Sequence, residues 1–332
     1  MISHSNHMAF PFNFFLAAFA GALLTTLLAL PLWRKWCLRI NLVDDPGHRK
    51  IHAVPVPLAG GLAVLAGLLL PLAIGAVLLK SGSSGLAQTG PLAHGLERRG
   101  LELAAIAIGA VAMVVLGVLD DKHELKPLPK FTGQLFIAVL VAIACKRITL
   151  FVPSVAFSYA ITVLWVLTVV NAFNFMDNMN GLCAGLGAIG AWQFAVIAAA
   201  DGEYLVATIA FLMCGALAGF LPWNFPHARA FLGDAGSHLV GYLLAVLAIL
   251  PHFYSKQNPR PLAVLSPLLV LAIPLADLAW VVVQRTLAGK PFYVGDTNHL
   301  SHRLVRAGLS PTRAVLAIWL SAAAIGTLAW LL

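Results

Sequence analysis

Apolar residues run along this chain in long stretches broken by short polar segments. The stretches lie near 10–32, 56–79, 102–119, 131–145, 158–175, 182–200, 204–222, 235–254, 262–285 and 313–332. A helix that crosses the hydrocarbon core of a bilayer needs about 20 mostly apolar residues. The pattern therefore predicts about ten spanning helices, with the run at 131–145 the shortest. Most runs are apolar on every face, so their length rather than a helical period carries the prediction. Backbone groups in lipid must be bonded internally, and continuous runs of this length achieve that as helices rather than as barrel strands. The expected fold is all-α and polytopic, a single integral membrane domain over residues 1–332. The segment Ile148 to Val152 is expected as a short strand or hairpin arm, and Ser81 to Gly85 as a flexible loop.

Composition points the same way. Hydrophobic residues make up 60% of the chain and charged residues 10%, against about 25% charged in an average soluble domain. A soluble enzyme of this size could not hide so much apolar surface. The net charge of +8 is then mostly a matter of topology. Alternate loops carry Arg34, Lys35, Arg39, Arg49, Lys50, Lys122, Lys126, Lys130, Arg229, Arg285, Lys290, Arg303, Arg306 and Arg313, which is fourteen. The others carry Lys80, Arg98, Arg99, Lys146, Arg147, Lys256 and Arg260, which is seven. By the positive-inside rule the first set faces the cytoplasm and both termini lie outside. The first span has no Lys or Arg before it and no small-residue cleavage site after it, so it is expected to be a retained anchor. Cys37, Cys145, Cys183 and Cys214 lack paired spacing and are expected as soft core residues rather than a disulfide or zinc framework. No basic stripe is interleaved with aromatic residues, so no nucleic-acid partner is expected.

The acids separate along the same line. Asp44, Asp45, Asp120, Asp121, Glu124, Asp177, Asp234 and Asp296 fall on the cytoplasmic loops, Asp277 lies within the ninth span, and Glu97, Glu102, Asp201 and Glu203 belong to the outer face. Asp120 and Asp121 close the third span. Adjacent carboxylates repel, so the pair suits a divalent metal or a general base, the plain alternative being a solvated helix end. Lys130 could anchor a phosphate or snorkel to the interface. Asn171, Asn174 and Asp177 are three apart at the mouth of the fifth span and share a helix face, as a site or as interhelical hydrogen bonding. Asp234, between glycines before the eighth span, reads as a helix cap or a Mg²⁺ ligand, and Phe231 beside it as a base-stacking or interfacial aromatic. His299, His302, Arg303 and Arg306 crowd the last cytoplasmic loop, where a guanidinium offers a planar fork to phosphate. Arg49, Lys50 and His52 precede Gly60 and Gly61, which open the second span; such glycines allow an anion near free N–H groups or serve tight packing.

The order of these motifs is more specific than any one of them. RKIHAVPVPLAGG (49–61), GVLDDKHELKPLPKFTGQ (117–134), NAFNFMDNMNGL (171–182), PWNFPHARAFLGDAGS (222–237) and the histidine loop together cover all five cytoplasmic loops. The series resembles the polyprenyl-phosphate N-acetylhexosamine-1-phosphate transferase family, which includes the lipid-carrier GlcNAc-1-phosphate transferases and the phospho-MurNAc-pentapeptide translocase. The resemblance implies transfer of a sugar-1-phosphate from a UDP-sugar to undecaprenyl or another polyprenyl phosphate, with release of UMP, in a bacterial cytoplasmic membrane. It implies Mg²⁺, with Mn²⁺ as a substitute, held at Asp234. Asp120 and Asp121 fall on the family's paired aspartates and would deprotonate or orient the lipid phosphate. Asn174 and Asp177, with Asn171, Asn180 and Phe231, fall on the nucleotide-sugar side, and Lys130, His299, His302 and Arg303 would hold phosphate oxygens. A second copy of the chain is a candidate partner.

Two departures stand out. The family's nucleotide motif commonly ends in Asp-Gly-x-Asp-Gly; here Asn178 takes the place of the first glycine and Asn180 that of the second acid. The histidine loop usually has adjacent histidines, and here Ser301 stands before His302. The second departure and the PLAGG sequence favour the GlcNAc-1-phosphate branch over the pentapeptide translocase. The competing readings are an ion-coupled transporter, in which Asp277 and the paired Asp120 and Asp121 would carry protons or Na⁺, and a catalytically inactive scaffold.

Overall fold

The computed structural model describes residues 10–45, 54–81, 90–145, 147–150, 152–251, 261–291 and 298–332. Helices dominate: α1 (Phe12–Arg39), α2 (Gly60–Lys80), α3 (Gly90–His123), α4 (Pro127–Ala144), α5 (Val155–Met176), α6 (Leu182–Ala200), α7 (Tyr204–Asn224), α8 (Gly233–Leu247), α9 (Ser266–Val270), α10 (Ala272–Leu287), α11 (Leu300–Arg306) and α12 (Pro311–Thr327). Local chemistry sets several starts. Ser154 accepts from the Phe157 amide and Ser310 from the Arg313 amide, and Pro127 and Pro311 stand where an N–H would have no helical partner.

Eight helices among the described residues are long and apolar enough to cross a membrane, and nine if the pair 262–270 and 272–287 is one broken span. That pair is bent by 72°. Pro274 has no N–H to offer the Val270 carbonyl, which removes a helical hydrogen bond at the break around Leu271. The predicted span at 235–254 is corrected: α8 has 15 residues, about 22 Å of helix, which is short of the hydrocarbon thickness. It is buried on nearly every face and packs against α2, α3, α5 and α6, the position expected of a helix apolar all round.

The predicted strand at 148–152 is also corrected. Ile148 donates its amide to Thr162 Oγ1 at 2.9 Å and accepts from Ser158 Oγ at 2.8 Å, so the side chains of α5 take the place of a strand partner; Phe151 lies outside the described residues. Among the described residues the sheet present is one antiparallel pair, β1 (Val43–Asp44) and β2 (Val56–Pro57), with Val43 opposite Pro57. The Arg49, Lys50, His52 and Asp296 positions and the segment 82–85 lie outside the described residues as well. The four cysteines are free, and three are buried.

The two ends of the bundle differ. At one end Arg99 of α3 bonds Glu203 before α7 at 3.2 Å. At the other, α3 ends on Asp120 and Asp121, about 30 Å further along the helix, close to one hydrocarbon thickness. Large apolar side chains such as Leu28, Leu32, Phe136, Ile143 and Leu320 are exposed on the flanks between these ends, where lipid would cover them.

Candidate active site

The site is assembled around the first turn of α8. Gly233 has φ +71°, a left-handed value open to glycine, and a Cβ there would lie 2.7 Å from Asp121 Oδ2. That turn leaves three amides pointing away from the helix, and two aspartates from other helices take them. Asp121 Oδ1 accepts from Asp234 N at 2.8 Å and Oδ2 from Ala235 N at 3.1 Å, and Asp177 accepts from Gly233. Carboxylates at a helix N-terminus satisfy its orphan donors and favour its dipole. Asp121 thus caps α8 with both oxygens. Burial first, then the charges of Asp234 and Asp121, raise the Asp177 carboxyl well above its ordinary range, against the pull of the Gly233 amide.

Asp234 is thereby aimed into a polar cluster. Lys130 Nζ lies 2.6 Å from Asp120 Oδ2 and 2.8 Å from Asp234 Oδ2, and 3.4 Å from Asn174 Oδ1. Asn174 donates to Asp234 Oδ1 at 2.6 Å and to Ser237 Oγ at 3.0 Å. Asp120 is buried, with Oδ1 accepting from Leu125 N at 2.9 Å. The structure thus brings Asp120, Asp121, Lys130, Asn174, Asp177 and Asp234 together from four helices.

Behind this cluster runs a polar relay. Asn171 Nδ2 donates to the Leu167 carbonyl at 2.8 Å and to Gln134 Oε1 at 2.9 Å. The carbonyl can only accept, which fixes the orientation of both amides. Gln134 Nε2 then faces His238 Nε2 at 3.2 Å, so that nitrogen accepts and the ring proton sits on Nδ1. Nδ1 has no hydrogen-bond partner and is fully buried. Asp120, Asp234 and His238 offer ligand atoms within 4.8 Å of one another. The two carboxylates suit a hard divalent ion, and the Lys130 ammonium lies between them. Sequence reasoning missed Gln134 and His238. Each lies four residues after a predicted site residue, Lys130 and Asp234 respectively, and that helical spacing was the signal available.

Other expected residues stand apart. Asn180 donates to the Pro226 carbonyl at 3.1 Å. Asn224, unremarked in the sequence, joins the same two segments: its Oδ1 accepts from Gly181 N at 2.6 Å and its Nδ2 donates to the Ala230 carbonyl at 2.9 Å. Phe231 is partly buried, and its backbone is bonded to Pro57 and Gly60. This decides between the two readings of Gly60 and Gly61. Their amides bond the carbonyls of Phe231 and Leu232 at 2.9 and 3.0 Å, so they are not free for an anion, and a Cβ on Gly61 would overlap the backbone at Ala235 and Gly236. The glycines serve close packing of α2 on α8.

The histidine helix α11 docks on the 171–182 segment. The His299 and Phe175 rings pack in a T, their centroids 5.5 Å apart, and the Phe175 ring also carries the Arg285 guanidinium at 5.0 Å. His299 Nδ1 lies 2.7 Å from Asp277 Oδ2, and Leu300 N donates to Asp277 Oδ1 at 2.6 Å. Asp277, the one deep acid, is thus committed to this loop. His302 is partly buried on α11, and Arg303 is exposed and stacked over Trp280 at 4.7 Å.

Comparison with known proteins agrees with this picture. Residues 103–252 match the model of Glycosyl transferase family 4. The chain is 32% identical over 311 residues to a "probable undecaprenyl-phosphate N-acetylglucosaminyl 1-phosphate transferase" of Bacillus subtilis, covering 91% of this chain and 80% of the relative. It is 34% identical over 331 residues to the decaprenyl-phosphate N-acetylglucosaminephosphotransferase of Mycobacterium tuberculosis, covering 92% and 79%. A third relative, the undecaprenyl-phosphate alpha-N-acetylglucosaminyl 1-phosphate transferase of Escherichia coli K12, is 27% identical over 92% of this chain and 80% of its own.

Proposed function

The chain belongs to glycosyl transferase family 4, together with the polyprenyl-phosphate N-acetylglucosaminyl-1-phosphate transferases, and from that premise we propose that it transfers N-acetylglucosamine-1-phosphate from UDP-N-acetylglucosamine to a polyprenyl phosphate. An oxygen of the lipid phosphate attacks the sugar-bearing phosphorus of the donor. The bond from that phosphorus to the oxygen bridging the donor's pyrophosphate breaks, UMP leaves with that oxygen, and a pyrophosphate-linked lipid sugar remains. The observation that carries this reading is the meeting of Asp120, Lys130, Asn174 and Asp234 at one end of the bundle. One substrate is a lipid and the other a soluble polyanion, so a mixed-charge site at the mouth of apolar helices suits both.

Phosphoryl transfer asks for positioning and charge neutralisation more than for covalent chemistry, and a single in-line displacement uses what is present. Lys130 holds phosphate oxygens beside Asp120, which orients the lipid phosphate or takes its proton. Asp121 acts differently, keeping the first turn of α8 in place so that Asp234 stays aimed. Asn174 fixes the Asp234 rotamer. Asp177 and the adjoining Asn180 turn lie on the nucleotide side, and the histidine helix closes that side. Mg²⁺, with Mn²⁺ as a substitute, would be held by Asp234 and Asp120 and would neutralise pyrophosphate charge. We infer from the loop charges, Lys122, Lys126 and Lys130 among them, that this end of the bundle faces the cytoplasm.

The test is turnover of a panel of UDP-sugars by purified protein with undecaprenyl phosphate and Mg²⁺, read as labelled lipid product and as exchange of labelled UMP into the donor. Product with UDP-N-acetylglucosamine is expected, and its loss with a chelator. No product and no exchange with any UDP-N-acetylhexosamine would overturn the reading.

A further inference from the structure

Asn178 and Ser301 are two of the three positions, with Asn180, at which this chain leaves the pattern of the family it resembles; they are 123 residues apart, and the fold brings them into contact. Ser301 Oγ lies 2.6 Å from Asn178 Oδ1, and Ser301 is fully buried. The direction of the bond is determined. Asn178 Nδ2 donates to the Phe175 carbonyl at 2.6 Å; a carbonyl accepts only, so Asn178 presents its oxygen to Ser301 and the hydroxyl donates. The chain runs from the Ser301 hydroxyl through the Asn178 carboxamide to the backbone at Phe175, whose ring meets His299. Asn178 has ordinary negative φ, so backbone conformation does not demand a glycine there; the side chain is what this position supplies.

We propose that Asn178 and Ser301 form a compensating pair, a latch that positions the histidine helix against the nucleotide-side segment. Asp277 secures α11 from the α10 side through His299 and the Leu300 amide, and the latch secures it from the α5–α6 side. Volume couples the two positions. An imidazole at position 301 in place of the small, buried hydroxyl needs the space that a glycine at position 178 would vacate, whereas the Asn178 side chain fills that space and calls for a small donor opposite. Asn178→Gly alone leaves the buried Ser301 hydroxyl without its acceptor, and Ser301→His alone forces an imidazole against the Asn178 carboxamide. Both residues are positioning residues. Their bearing on turnover rests on the function proposed above, while their coupling does not.

A double-mutant cycle tests the pair in the full chain in detergent, comparing Asn178→Gly, Ser301→His and the double exchange. One readout is hydrogen–deuterium exchange of the amides at 300–306, which needs no turnover. Each single variant is expected to speed that exchange at least tenfold, and the double variant to return to within about threefold of the parent. With UDP-N-acetylglucosamine as donor, the single variants are expected to raise KM for the donor about tenfold with KM for undecaprenyl phosphate unchanged, and the double variant to recover. Exchange at 300–306 that is unchanged in both single variants, or a double variant as fast as the two effects multiplied, would overturn the latch. If the parent chain turns over no UDP-sugar, the proposed function fails and the exchange cycle still judges the pair.

Discussion

Lys130 sets one ammonium between two carboxylates that would otherwise repel, at 2.6 Å from Asp120 and 2.8 Å from Asp234. Removing it should both disable the site and unbalance it. Lys130→Met is expected to lower transfer at least a hundredfold. The same variant should gain more thermal stability from added Mg²⁺ or Mn²⁺ than the parent does, because a divalent ion then meets the two acids without a resident competitor. Equal gains in thermal shift would place the ion elsewhere. Asp234→Asn keeps the shape of the side chain and removes its charge, and should cost about a thousandfold in turnover, roughly 4 kcal/mol of barrier. Near-normal activity would take Asp234 out of the centre. Asp121 is expected to behave differently from its neighbour. Its oxygens cap α8, so Asp121→Ala should lower the unfolding midpoint as well as activity, by about 1 kcal/mol or more of stability for a lost cap.

At the scale of elements, the site depends on how closely α2 and α3 approach the start of α8. A Cβ on Gly117 or Gly61 would overlap backbone atoms at Ala235 and its neighbours, and backbone cannot swing aside as a side chain can. Gly117→Ala is therefore expected to cost about 1–3 kcal/mol through overpacking and to abolish transfer by displacing Asp234. Gly75 and Gly100 have open space where a Cβ would go. Alanine there should leave stability within about 0.5 kcal/mol. Thermal unfolding in detergent, with transfer assays on the same preparations, separates the two classes. An active, stable Gly117→Ala variant would mean that α8 can slide without harm. The predicted eighth span shares this logic: α8 is a short buried post whose first turn is the platform of the site.

For the whole molecule, the separation of Arg99 and Glu203 from the Asp120 cluster leads to a topological prediction. Lys122 and Ser81 are exposed near opposite ends of the bundle, and the native cysteines are buried apart from Cys145, which is partly so. In a Cys145→Ser background, an impermeant thiol reagent should label Lys122→Cys in inverted membrane vesicles and Ser81→Cys in right-side-out vesicles. Labelling of both from one side would refute the proposed topology. Most of the spans were legible in the sequence because run length is a local property and lipid favours a helix where about 20 apolar residues follow one another; the run at 235–254 was not, because an apolar run can equally be a short helix buried in protein. The polar residues of the centre were legible as candidates, since Asp120 and Asp177 are costly at the C-terminal mouths of apolar helices without a purpose and Asp234 stood between glycines before a helix. Their division of labour was not. Asp120 and Asp121 are equivalent in sequence, and only the packing of α8 makes one a cap and leaves the other beside Lys130. Gly60 and Gly61 permitted two readings until the carbonyls of Phe231 and Leu232 were found on their amides. His238 and Gln134 acquired meaning through each other. Burial, partnership and the direction of a hydrogen bond are settled by neighbours more than a hundred residues distant in the chain, so tertiary structure alone could decide them.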